Sequence, residues 1–137
     1  MTVTFFGHKV MPYDISLLIR KTLIQLIQEK NAYNFYVGNN GMFDETVCKI
    51  LKDIKYIYPQ IRYAIVLAYH PSSKNDKTQT HENTIVPEGI ERTPPKYAIC
   101  ARNKWMIEQA DTVITYVMGN TGGAARYKAL AKKRAKP

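Results

Sequence analysis

The sequence predicts an α/β fold: one mainly parallel sheet of about four strands, order 3-2-1-4, with helices on both faces as a three-layer sandwich. Three observations point there. Short β-branched and aromatic segments alternate with longer segments whose apolar residues recur at helical spacing. The third short segment, Arg62–Ala68 (RYAIVLA), is a nearly continuous apolar run, as suits a strand covered on both faces. Glycine or small polar residues follow the first, second and fourth short segments and lead into helices.

The first strand is Thr2–Phe6 (TVTFF), stopped by Gly7. Asp14 is placed to cap the helix that follows, in which Ile15, Leu18, Ile19, Leu23, Leu26 and Ile27 recur at helical spacing. Leu17 and Ile24 widen that stripe, so the helix is expected to be covered on more than one side. Asn34–Val37 is the second strand, ended by Gly38-Asn39-Asn40-Gly41. Val47, Ile50, Leu51, Ile54 and Tyr58 then mark a second helix, which Pro59 ends. Residues 70–93, beyond the third strand, carry no periodicity and read as a long flexible loop or lid. Thr93-Pro94-Pro95 offers a capping hydroxyl and first-turn prolines to a third helix, continued by Ile99, Cys100, Asn103, Met106 and Ile107. Thr112–Val117 is the fourth strand, and the turn from Gly119 to Gly123 leads to a last helix from Ala124 to about Arg134.

The 137 residues, 45% of them apolar, suffice for one domain with a core of its own. No apolar run approaches the length of a membrane span. The opening MTVTFFGHKVMP has no basic segment followed by a long apolar one, so a cytoplasmic protein is expected. Cys48 and Cys100 read as buried thiols in a reducing compartment, not as a bridge. The net charge is +9, and six basic residues follow the last acidic one, Asp111. Such a run suits either a solvated basic helix end or a phosphate contact.

In parallel sheets of this kind, ligands bind beyond the carboxyl ends of the strands. Three glycine-bearing turns fall there: Gly7-His8, Gly38 to Gly41, and Gly119-Asn120-Thr121-Gly122-Gly123. Helix N-termini present free N–H groups, and phosphate is the natural guest. Neither GxGxxG nor GxxxxGK[ST] occurs in these turns.

From Arg102 to Ala125 the chain reads RNKWMIEQADTVITYVMGNTGGAA. Arg102, Met106, Asp111 and Gly122-Gly123, with the opening TFFGHK and the loop VGNNGMFDE, resemble the SLOG superfamily. These are the Rossmann-like relatives of the Lonely Guy phosphoribohydrolases and the Smf/DprA proteins, and the likeness is to an uncharacterised bacterial branch. The resemblance runs over nearly the whole chain and is most specific between Arg102 and Gly123. It implies a Rossmann-like fold and a nucleotide or nucleotide-derived ligand. Together with the turns at the strand ends, it gives as expected site residues Gly7, His8, Gly38, Asn39, Asn40, Gly41, Asp44, Arg102, Met106, Gly119, Asn120, Thr121, Gly122 and Gly123. Arg102 is the expected phosphate clamp; its structural alternative is pairing with Asp44 or Glu45.

The departures decide how far the resemblance carries. The phosphoribohydrolases have a PGG turn, then Gly-Thr, then a Glu that acts on the N-glycosidic bond. Here Asn120-Thr121 precede the glycines, Ala124-Ala125-Arg126 follow them, and no carboxylate side chain occurs after Asp111. Phosphoribohydrolase activity is therefore not expected, and no catalytic set is assigned. Asp44, Glu45 and His8 are the candidate acids or bases if the protein is an enzyme. The three histidines and two cysteines lack metal-site spacing, and neither a metal nor a cofactor is expected. Trp105 suits core or subunit packing better than base stacking. SLOG relatives usually continue into a further strand, so an open sheet edge and a homodimer are expected. The leading expectation is a domain that senses or sequesters a nucleotide. A nucleotide-processing enzyme and a DprA-like single-stranded nucleic-acid binder are the alternatives, the last disfavoured because no row of interleaved aromatics is evident.

Overall fold

The computed structural model describes residues 1–7, 15–69 and 83–116. They form β1 (Thr2–Gly7), α1 (Ser16–Lys30), β2 (Asn34–Val37), α2 (Met42–Ile57), β3 (Arg62–Val66), β4 (Thr84–Ile85), a single 3-10 turn (Ile90–Arg92), α3 (Pro95–Gln109) and β5 (Thr112–Tyr116). The sheet is entirely parallel, in the order β4-β3-β2-β1-β5. The fold class read from the sequence holds, and so does the order of the four main strands. The correction is a fifth strand. Thr84–Ile85 joins the β3 edge, in register with Ile65 and Val66, so the lower half of the expected 70–93 loop is structured. The proposed lid's residues 70–82 lie outside the described residues, as do Asp14, Val117 and the helix expected from Ala124.

The alternation of side chains along the strands builds two cores. Val3, Phe5, Phe35, Val37 and Ile65 pack with Ile19, Leu23 and Ile27 of α1 and Val47, Leu51 and Ile54 of α2. Phe6 and Val66, from the other face, pack with Met106 and Ile107 of α3. The helices therefore lie on both sides of the sheet. Trp105 belongs to this second face and meets the Tyr36 ring edge-on, with centroids 5.1 Å apart.

The α1 stripe is widened by Ile24 and Leu26, which pack half-buried against the core, but not by Leu17 or Leu18. Ile19, Leu23 and Ile27 are buried at i, i+4 and i+8, whereas Leu17 and Leu18 are 73% and 63% exposed. One helix face meets the core, and the first-turn leucines lie outside it. The caps also differ from expectation. Ile15 and Pro94 occupy the N-cap positions of α1 and α3, and neither makes a side-chain cap bond. Pro95 does stand at the start of α3, where its missing N–H costs nothing.

Asp111 ties the start of β5 to the start of β1. Its Oδ2 accepts the Thr2 N–H at 2.9 Å, and its own N–H donates to the Thr2 carbonyl at 2.8 Å. Only the first bond depends on the side chain. Asp111→Ala is expected to lower stability by about 0.5–1.5 kcal/mol. A fall in the urea midpoint at unchanged slope checks this.

Candidate functional site

Because every strand runs the same way, Gly7, Val37, Val66, Ile85 and Tyr116 all end on one edge. The chain reverses its direction of travel across the sheet at β1, which lies between β2 and β5. Gly7 of β1 stands in register with Tyr116 of β5 at this edge. Next to it, Gly38–Gly41 connects β2 to α2. Gly41 is the N-cap of α2 at φ 121°, a conformation that a side chain would strain.

Arg102 reaches this loop from the middle of α3. It is 2% exposed. Its Nη1 donates to Asn39 Oδ1 at 3.0 Å and to the Val66 carbonyl at 3.1 Å, and its Nε donates to Asn103 Oδ1 at 2.8 Å. One guanidinium thus joins the end of β3, the loop after β2 and α3. Lysine has no such planar fork.

Asp44 approaches from the opposite side, in the first turn of α2. Its Oδ2 accepts the Asn40 N–H at 3.0 Å. Burial raises its carboxyl well above the ordinary carboxylate range, against the lowering effects of the Asn40 bond and the Arg102 charge. Gly38 sits where the two side chains meet. A Cβ there would lie 2.9 Å from Asp44 Oδ2 and 3.1 Å from Arg102 Cζ. Its missing side chain is the room in which the cluster assembles.

The raised carboxyl has a consequence for stability. The folded state binds the Asp44 proton more tightly than the unfolded chain does. Its contribution to stability is fully present below the unfolded value and is lost as pH rises through the raised folded value. Above the unfolded value the raised carboxyl therefore costs the native state stability relative to a group that does not titrate. Asp44→Asn is expected to melt higher than wild type at neutral pH, with the gap closing below about pH 4. A gap of the opposite sign, or one independent of pH, would contradict this origin of the shift.

Of the residues marked from the sequence, Gly38, Asn39, Asn40, Gly41, Asp44 and Arg102 come together at this one place. The clamp expectation and its pairing alternative both bear on Arg102, which engages Asn39 and acts on Asp44 by charge. Met106 is 1% exposed and packs with Phe6, Val66 and Ile107, so it supports α3 beneath Arg102. Gly7 ends β1 against the ring of Phe43; a Cβ there would lie 2.2 Å from the ring's Cγ. His8, Gly119, Asn120, Thr121, Gly122 and Gly123 lie outside the described residues.

No protein-family model matches this chain, and no curated protein matches it. The chemistry of the cluster therefore rests on its own geometry. Asn103, the Val66 carbonyl and Phe43 are participants that the sequence reading missed. Asn103 falls on the third helix by its spacing but takes no role from it, because spacing does not show that it would accept from Arg102, and a main-chain carbonyl has no sequence signal at all.

Cys48 and Cys100 are free and half-buried, less deeply placed than expected. Burial first, then the neighbouring Asp44 and Glu45, pushes the Cys48 thiol up to about 12, which leaves it protonated and poorly nucleophilic at neutral pH. Among the described residues no three of His, Cys, Asp and Glu gather to hold a metal ion. No described helix is long and apolar enough to cross a membrane.

Proposed function

We propose that the protein binds a nucleotide or nucleotide-derived ligand at the carboxyl edge of the sheet. The ligand's phosphate rests on the Gly38–Gly41 loop and the start of α2, with Arg102 as the charge beneath them. The observation that carries this reading is the burial of a guanidinium against that loop. Burying a cation is costly unless an anion or a dense set of acceptors meets it. Arg102 has carbonyl and amide acceptors, and the carboxyl its charge acts on, Asp44, is shifted toward its neutral form. A guanidinium held against a glycine-bearing loop at a helix N-terminus places positive charge where an anionic group would be favoured. The +9 net charge of the chain favours the approach of such an anion.

A thermal-shift screen at fixed salt tests the reading, with AMP, ADP, ATP, GMP, NAD, ADP-ribose and cyclic nucleotides as probes. A nucleotide at a hundred times its dissociation constant stabilises the protein by about 2.7 kcal/mol. The expected result is a selective rise of several degrees with one class of nucleotide and none with inorganic phosphate at equal ionic strength. No rise with any nucleotide would overturn the reading.

A further inference from the structure

We propose that the Asn40–Gly41 peptide is a self-modification site: the main-chain nitrogen of Gly41 attacks the Asn40 carboxamide and converts it, with no enzyme, to an aspartyl or isoaspartyl residue.

Of the asparagines in the chain, only Asn40 is followed by glycine. Sequence alone does not make such a pair reactive, because a fold can hold either partner still. Here it holds neither of the reacting groups. The Asn40 side chain makes no hydrogen bond among the described residues, and the Gly41 N–H has no acceptor there. Asn40 is anchored by its own main-chain N–H, which donates to Asp44 Oδ2 at 3.0 Å. Gly41 is anchored by its carbonyl, which accepts the Glu45 N–H at 3.1 Å. The two anchors flank the peptide and leave its carboxamide and its nitrogen unengaged. Both residues are half-buried, so water reaches them. Gly41 brings no Cβ to obstruct the approach.

Other asparagines show the contrast. Asn39 stands next in the same loop, but its Oδ1 accepts Arg102 Nη1, and the nitrogen that follows it is the Asn40 N–H bonded to Asp44. The Asn103 carboxamide accepts Arg102 Nε within α3. After Asn31, the Ala32 N–H donates to the Leu26 carbonyl.

The step balances with water as the co-reactant. The Gly41 N–H gives its proton to hydroxide or a buffer base. The nitrogen then bonds to Asn40 Cγ, the Cγ–Nδ2 bond breaks, and Nδ2 leaves as ammonia after taking up a proton. The chain itself keeps the reacting atoms close, which replaces a bimolecular encounter. Water opens the cyclic imide and supplies the oxygen of a new carboxylate. Opening at Cγ gives aspartate; opening at the main-chain carbonyl gives the isoaspartyl isomer, whose backbone runs through Cγ. Nothing is oxidised or reduced. Either product adds a negative charge to the residue whose N–H Asp44 accepts, and like charges so placed oppose each other. One consequence rests on the nucleotide reading above, although the modification does not: the new charge stands where the phosphate is proposed to rest, so the site loses affinity with age.

The test ages native wild type, urea-unfolded wild type and native Asn40→Gln in parallel, then digests them in acid and maps the peptides by mass spectrometry. In native wild type the peptide carrying residue 40 is expected to gain one dalton and to split into two isomers, at a rate comparable to that of the unfolded chain. The rate is expected to rise about tenfold per pH unit, as the deprotonated fraction of a weakly acidic N–H does. Asn40→Gln has a longer side chain and must close a larger ring, so it is expected to show no gain at this position. The Asn40 side chain holds no described neighbour, so this variant is expected to fold. Native protein that keeps Asn40 while the unfolded chain loses it, or a faster gain at Asn31, Asn39 or Asn103, overturns the proposal. A thermal-shift measurement with ATP on fresh and aged protein then reads the consequence. A smaller rise in the aged protein is expected, and an equal rise overturns the loss of affinity. No rise in the fresh protein counts against the nucleotide reading alone, since the peptide map decides the modification without it.

Discussion

Gly7→Ala is expected to destabilise the protein by about 3 kcal/mol, at the upper end of what forced overpacking of a core usually costs. The new Cβ would lie 2.2 Å from Cγ of Phe43 and 2.5 and 2.6 Å from its two Cδ atoms. No side-chain rotation of a single methyl relieves such contacts. Phe43 is 1% exposed, and it packs in the core that α1 and α2 share with the sheet. Either the ring or the end of β1 has to move. Gly7 has no left-handed backbone, so the demand is for space and not for conformation. A double-mutant cycle separates the two residues. Phe43→Ala alone opens a cavity costing about 3–5 kcal/mol. In the Gly7→Ala background it is expected to cost much less, because the methyl then has somewhere to go. Additive costs, or a Gly7→Ala protein within about 0.5 kcal/mol of wild type, would refute the packing role.

Arg102→Met is expected to have an effect as large or larger, about 3–5 kcal/mol, the range found when one partner of a buried charged cluster is removed. The methionine fills similar volume but donates nothing. Asn39 Oδ1, Asn103 Oδ1 and the Val66 carbonyl each lose the Arg102 hydrogen bond, and Asp44 loses a nearby cation. Against a total stability of about 5–15 kcal/mol, this brings the variant close to unfolding at physiological temperature. Arg102→Lys keeps the charge but not the fork, and is expected to lie between Met and wild type. The measurement is chemical denaturation of the three proteins. Loss of the Asp44–Arg102 attraction also raises the Asp44 carboxyl further, so Arg102→Met is expected to widen the pH range over which stability falls with rising pH. A fully stable Arg102→Met would show that the guanidinium contributes nothing to holding the loop.

Much of this arrangement was legible in the residues. The β-branched and aromatic content of Val3-Thr4-Phe5-Phe6, which is buried throughout, and the helical period of Val47, Ile50, Leu51 and Ile54 are direct imprints of burial, and the elements they predict are present. The order of the main strands followed from their alternation with helices. What escaped detection has physical reasons. Thr84–Ile85 is too short to show any period, and its strand character comes wholly from pairing with Ile65 and Val66. Leu17 and Leu18 carry an apolar signal without being buried, since periodicity does not say where a stripe stops. At the site, glycine and asparagine after a strand marked the loop correctly. Their reasons were only partly foreseen: Gly7 and Gly38 make room for Phe43 and for the Asp44–Arg102 cluster, which are tertiary contacts that no local pattern encodes.

The place of β1 in the sheet bears on how the chain must assemble. β1 is synthesised first, yet one of its two neighbours is the last strand described, and the Thr2–Asp111 bond spans 109 residues. On the ribosome, β2 can pair with β1 and β3 with β2, while the other edge of β1 waits until residues 112–116 have emerged. During that interval the backbone of Val3–Gly7 offers a strand-pairing template to any passing chain. Closure over such a distance slows folding and lengthens the exposure. The half-made protein is therefore more vulnerable to aggregation than the finished one, and a nascent chain that stalls before Thr112 would be held by chaperones or degraded.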